Sequence, residues 1–167
     1  MKNGTTSMEA KSGYGLDVNS EVKILEAVSI VDRESPCDII PTWLGAHDFP
    51  KEMSRSDYTD ELISEQIPVI NELGLAKWAD VFCEPGWFTI EETEDIVNAA
   101  IRLRLRNLSE SLQELQVLGD AAAEQGETKQ EKLYQKLTLQ HTRALRGLQR
   151  FLWQYSHSSN IVETVDL

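Results

Sequence analysis

Cysteine is scarce in this 167-residue chain: Cys37 and Cys83 are the only two. Two thiols cannot build a disulfide scaffold or a thiolate zinc site, so a reducing, cytoplasmic setting is expected. No apolar run approaches the roughly 18 to 20 residues that a membrane span requires. The opening Met1-Lys2-Asn3-Gly4 has none of the apolar core of a secretory signal. Basic charge is also in short supply, with 16 Lys and Arg against 28 Asp and Glu for a net −12. That balance argues against non-specific binding to nucleic acid or to an anionic membrane, both of which are polyanions. Apolar residues, by contrast, are not lacking. At 41% of the chain they exclude wholesale disorder, and the length allows one domain or one and a half.

Charge and proline are unevenly placed. Residues 1–100 hold 7 Lys and Arg against 20 Asp and Glu, whereas residues 101–167 hold 9 against 8. All five prolines (Pro36, Pro41, Pro50, Pro68 and Pro85) fall in the first stretch. Such a step predicts two pieces with different surfaces, 1–100 and 101–167, joined near Ile101 to Asn107.

The first piece alternates strand and helix patterns. Thr5 to Ala10 reads as a short strand, ending in the glycine loop Lys11-Ser12-Gly13-Tyr14-Gly15. Asp17 or Asn19 can cap a helix with the stripe Val22, Ile24, Leu25, Val28 and Val31, which Ser35-Pro36 stops. Asp38 to Leu44 is a second strand, exiting through Gly45-Ala46-His47-Asp48. Ser56 or Asp57 opens the next helix, with Leu62, Ile63, Ile67, Ile70 and Leu73 on one face. Pro68 is placed to kink it, and Gly74 sits where a C′ glycine belongs. Ala79 to Cys83 is a third strand, and Thr89 with Glu92 forms a capping box for a third helix. Strands separated by amphipathic helices at this spacing predict a parallel sheet. The fold class is therefore α/β: about three parallel βα units, a partial (β/α)8-type barrel, since a full barrel takes about 250 residues. The second piece carries Leu108, Leu112, Leu115 and Leu118, a break at Gln125-Gly126, then Leu133, Leu137, His141, Leu145, Leu148, Leu152 and Tyr155. It predicts a C-terminal α-helical hairpin. With neither Gly nor Pro from Ile90 to Leu118, the third helix is expected to run straight into it.

In a parallel βα array, ligand-binding side chains collect at the carboxyl ends of the strands. Here those ends bring Lys11, Ser12, Tyr14, His47, Asp48 and Glu84 to one edge. The stretch Gly4-Thr5-Thr6-Ser7-Met8-Glu9-Ala10-Lys11-Ser12-Gly13-Tyr14-Gly15-Leu16 resembles the third-strand segment of imidazolonepropionases. Ile40-Pro41-Thr42-Trp43-Leu44-Gly45-Ala46-His47 and Asp80-Val81-Phe82-Cys83-Glu84 resemble the next two strand ends, in order. The resemblance covers residues 4–100 and leaves 101–167 unrecognised. It implies a barrel of the amidohydrolase superfamily, a hydrolase of histidine degradation that opens 4-imidazolone-5-propanoate to N-formimidoyl-L-glutamate. A zinc or iron ion activates water in that family, and Tyr14 and His47 are implied to contact the substrate.

Where the family's pattern continues, this sequence departs from it. The His-x-His pair is expected before the matched segment, ahead of the point where this chain starts. In place of the later His and acidic pair stands Ile101-Arg102-Leu103-Arg104-Leu105-Arg106-Asn107-Leu108-Ser109-Glu110. No catalytic residue and no metal ligand is assigned, and no bound metal is expected. The first expectation is thus a truncated imidazolonepropionase-like chain, inactive alone. The alternative is a non-catalytic assembly module, in which the hairpin covers the open sheet or pairs chains into a homo-oligomer, or in which a complementing chain supplies the rest. Other residues are expected to be structural: Lys11 solvated, Glu84 bonding its loop, Cys83 packed on a buried strand, and His141 a satisfied interface histidine. His157 matches no motif. The sequons at Asn3 and Asn107 carry little weight without a secretory signal, and a groove-binding role for Val165-Asp166-Leu167 is disfavoured.

Overall fold

The computed structural model describes the backbone of residues 4–162 and the side chains of residues 4–154. Asn3, the side chains of Tyr155 and His157, and Val165-Asp166-Leu167 lie outside those described residues. The chain divides into two units, 1–100 and 101–167.

The first unit is a βαβαβ array. Strands β1 (Ser7–Lys11), β2 (Asp38–Ala46) and β3 (Trp78–Val81) form one parallel sheet in the order β1-β2-β3. The chain is α/β, as its alternating pattern predicts. Helix α1 (Val18–Glu34) starts at Asp17, whose side chain accepts from the Ser20 N–H at 2.9 Å. That bond satisfies one of the donors a helix start leaves open. The helix ends at Ser35, before Pro36, as the steric conflict of a pre-proline residue with α geometry requires.

Strand β2 is the buried centre. Its Ile39 and Trp43 are almost fully covered, together with Leu25 of α1. The opposite face of the sheet mixes apolar residues such as Ile40 with polar ones. Thr42 Oγ1 donates to Glu9 Oε1 at 2.6 Å, and Lys11 Nζ donates to Asp80 Oδ2 at 2.5 Å. One face of β2 thus supplies a core while the other includes the hydrogen-bonded Thr42, as the two-residue strand period allows.

The second crossover differs in detail from the sequence expectation. Helix α2 (Arg55–Glu61) is capped by Ser54, not by Ser56 or Asp57, because Ser54 Oγ accepts from the Asp57 N–H at 3.1 Å. A π-helical turn, Leu62–Gln66, then leads into α3 (Ile67–Glu72). Pro68 has no N–H to give, and the helix widens into this π-helical turn just before it. Gly74, at φ 63°, closes the helix as a C′ glycine. Leu62, Ile67 and Ile70 are buried, but Leu73 at the end of the stripe is exposed.

The third strand sits earlier than predicted, at Trp78–Val81, so Cys83 is an exposed loop residue and not buried packing. Thr89 and Glu92 form the predicted capping box: the Glu92 N–H donates to Thr89 Oγ1 at 3.2 Å and the Thr89 N–H to Glu92 Oε2 at 2.8 Å. From there α4 runs unbroken from Ile90 to Glu124, crossing the boundary between the units.

The second unit holds the rest of α4 and α5 (Thr128–Val162), separated at Gly126, whose φ is 70°. Leu108 and Ala122 are its buried apolar residues among those described. Nδ1 of His141 is buried without a hydrogen-bond partner, so this histidine is not the satisfied one expected. Among the described residues, no helix is long and apolar enough to cross a membrane.

Candidate functional site at the carboxyl ends of the strands

Three loops leave the sheet on the same side. The first, after β1, is held at both ends. Ser12 is buried, and its Oγ accepts from the Leu44 N–H of β2 at 3.0 Å. Gly13 adopts φ 110°, and a Cβ there would lie 2.6 Å from the Leu44 carbonyl oxygen and 3.0 Å from His47 Cβ. Only glycine fits at this approach. Leu16 closes the loop at φ 57°, in the left-handed region that a branched side chain enters at a cost.

Glu21, in the first turn of α1, is fully buried beneath this loop. Its carboxylate accepts from the Gly13 N–H (3.1 Å to Oε1, 2.9 Å to Oε2) and from the Gly15 N–H (2.7 Å to Oε1). Sequence reading passed over Glu21. The signal was available in its position one turn into a helix that follows a glycine loop, where a carboxylate meets backbone donors.

Tyr14, between those two glycines, projects outward and is 83% exposed. The second loop places His47 beside it, with ring centroids 5.1 Å apart in an edge-on arrangement. His47 Nδ1 lies 3.0 Å from the Gly13 carbonyl oxygen. A carbonyl can only accept, so Nδ1 carries the proton, and in the neutral ring Nε2 is left as the acceptor. The third loop contributes Phe82, 5.6 Å from the His47 ring, and Trp87, 6.0 Å from Phe82. The result is a row of rings, Tyr14, His47, Phe82 and Trp87, along the strand ends. It offers a phenol, an imidazole lone pair and a flat apolar flank.

The remaining residues at this edge are structural. Lys11 is ion-paired with Asp80, with Glu9 3.7 Å away, and the Asp80 hydrogen bond raises its pKa. A lysine held protonated is no base. Glu84 serves through its backbone, its carbonyl accepting from the Trp87 N–H at 2.9 Å. Beneath the row, the Tyr58 phenol donates to the Gly45 carbonyl at 2.9 Å, and burial pushes its pKa up, so it stays a donor. Among the described residues, no three His, Cys, Asp or Glu side chains converge to hold a metal ion.

The aromatic and imidazole row lies at the carboxyl edge of a parallel βα sheet, where ligand sites of α/β proteins commonly form. Comparison with known proteins narrows the class. The chain is 41% identical to the imidazolonepropionase of Alkaliphilus metalliredigens over 127 residues, covering 74% of this chain and 30% of that protein. It is 44% identical to the imidazolonepropionase of Treponema denticola over 102 residues (60% and 25%) and 38% identical to that of Haloarcula marismortui over 99 residues (59% and 24%). The chain is therefore similar to a segment of imidazolonepropionases, and it spans about a quarter to three tenths of the length of these curated relatives. The Alkaliphilus alignment is longer than the first unit and so extends past Ala100. No protein-family model matches the chain.

Proposed function

We propose that the first unit is the substrate-orienting part of an imidazolonepropionase-type hydrolase, acting on 4-imidazolone-5-propanoate, and that its three βα units correspond to part of a (β/α)8 barrel. One observation carries the reading: Tyr14 and His47 meet at 5.1 Å on the carboxyl edge of a parallel sheet, in a chain similar to those enzymes. His47 Nε2 accepts a ring N–H of the substrate, and the exposed Tyr14 phenol donates to its carboxylate tail. Phe82 and Trp87 flank the planar ring.

In that family a zinc or iron ion makes the attacking water a nucleophile at neutral pH. Among the described residues, the donor set does not fit such an ion. His47 Nδ1 is committed to the Gly13 carbonyl, Asp80 to Lys11, and no third ligand converges on them among the described residues. The chain by itself binds the substrate and does not hydrolyse it.

Calorimetric titration with 4-imidazolone-5-propanoate tests the binding half. Y14F and H47A should each weaken binding by about tenfold, the loss expected for one hydrogen bond to a charged or polar ligand group. An absence of binding would sink the substrate assignment. Incubation with substrate and zinc tests the other half, where turnover above a metal-only blank would overturn the non-hydrolysing reading.

A second reading, a non-catalytic assembly module, draws support from apolar exposure. In the second unit Val117 is 69% exposed, Leu133 52% and Trp153 62%. In the sheet, β1 and β3 each have a neighbour on one side only among the described residues, and open edges invite pairing with a second copy or a complementing chain. Light scattering on the eluted peak decides between them: a monomer that pairs with nothing argues against assembly.

A further inference from the structure

We propose that Glu21 is a positioning residue that decides which nitrogen of His47 faces the ligand, an inference resting on the reading of the Tyr14–His47 site given above. Glu21 is fully buried, yet carries a carboxylate. Placing that group out of water is costly unless its oxygens are satisfied. All of its hydrogen bonds go to the loop after β1, to the amides of Gly13 and Gly15 on either side of Tyr14. Helix capping does not account for it, because Asp17 already accepts from the Ser20 N–H.

The loop needs such a clamp. It contains two left-handed positions, Gly13 at φ 110° and Leu16 at φ 57°, and the second is strained for a side-chain-bearing residue. Gly15 lets the loop seat on the carboxylate, since a Cβ there would lie 2.9 Å from Glu21 Oε1 and 2.6 Å from Ser20 Cβ. With the loop seated, the Gly13 carbonyl stands 3.0 Å from His47 Nδ1 and selects the Nδ1–H tautomer. Released from that carbonyl, a histidine ring reverts toward the Nε2–H form it favours in water. Its ligand-facing nitrogen would then change from acceptor to donor. Glu21 thus acts through residue 13 on the chemistry His47 presents, without touching the ligand.

The test is the tautomer of His47, read from long-range proton–nitrogen spectra of the labelled full chain at a pH where the ring is neutral. The wild type should show a protonated Nδ1. In E21Q an amide NH2 replaces one oxygen and faces the Gly13 N–H, so the spectrum should move toward Nε2–H. The Gly13 and Gly15 amides should lose exchange protection, and affinity for 4-imidazolone-5-propanoate should fall about tenfold. E21D keeps the charge but is one methylene short, and should shift the tautomer in the same direction. A wild-type His47 already in the Nε2–H form overturns the proposal, as does a folded E21Q or E21D with the wild-type tautomer. Should E21Q fail to fold by circular dichroism, the wild-type and E21D spectra decide. If the wild type binds no imidazolone propanoate, the substrate reading fails while the tautomer data still judge Glu21.

Discussion

Gly13 shows how much a single position can carry. Its φ of 110° and the 2.6 Å approach of the Leu44 carbonyl to a would-be Cβ leave no room for any other residue. G13A would combine left-handed strain with a clash against the backbone of the central strand. We expect a loss of about 3 kcal/mol in urea unfolding, together with loss of the Tyr14–His47 ring contact. A loss below 1 kcal/mol would mean that the loop relaxes freely and that its geometry does not define the site. Tyr14 and His47 were legible in the sequence because each follows a strand in a stretch that resembles a known family. Glu21 was passed over, because a glutamate early in a helix is ordinarily a solvated charge, and its place after a glycine loop becomes decisive only with its burial.

Among the elements, the start of α4 joins local and tertiary interactions. The Glu92 carboxylate accepts from the Thr89 N–H of the capping box and also from Arg55 of α2, at 2.6 Å from Nε and 2.8 Å from Nη2. Arg55 in turn lies 4.4 Å over the Phe49 ring, which stacks on the buried Phe88 at 4.4 Å. The Arg55 hydrogen bond, followed by the cap, holds Glu92 below its ordinary value near 4.5. The stability this group contributes is therefore complete above about pH 4.5 and is lost as the pH falls through the lower folded-state value. E92Q should cost about 1 kcal/mol at neutral pH, a modest figure because Arg55 is partly solvated. It should also flatten the acid limb of a stability-versus-pH curve. An unchanged acid limb would show that the pair contributes nothing. The cap was readable from Thr89 and Glu92 alone, whereas the Arg55 arm spans 37 residues of sequence and needed the fold.

Across the whole molecule, charge is the dominant asymmetry. The first 100 residues carry 20 acidic and 7 basic side chains, and the sheet and its helices hold them close together. Repulsion among them should be relieved as added salt shortens the screening length to about 8 Å. Raising sodium chloride from about 20 mM to about 200 mM should lift the melting temperature of the chain by a few degrees. A fall would mean that the Lys11–Asp80 and Arg55–Glu92 pairs outweigh the net repulsion.

What the sequence determined by itself is local. Glycine and proline placement, capping residues and apolar periodicity marked the α/β order of the elements and the glycine loop, because each of these depends on neighbours within a few positions. Tertiary structure decided the rest. Strand β3 ends at Val81, where its pairing with Ala46 ends, and not at Cys83, which stands exposed. The helix widens into a π-helical turn at Leu62–Gln66, just before Pro68, which the apolar stripe did not announce. Above all, the carboxylate of Glu21 and the carbonyl of Gly13 fix the tautomer of His47 only because α1 and β2 bring them within hydrogen-bonding distance. Pairing across 34 positions is a property of the packed chain, since nothing within reach of a local pattern records it.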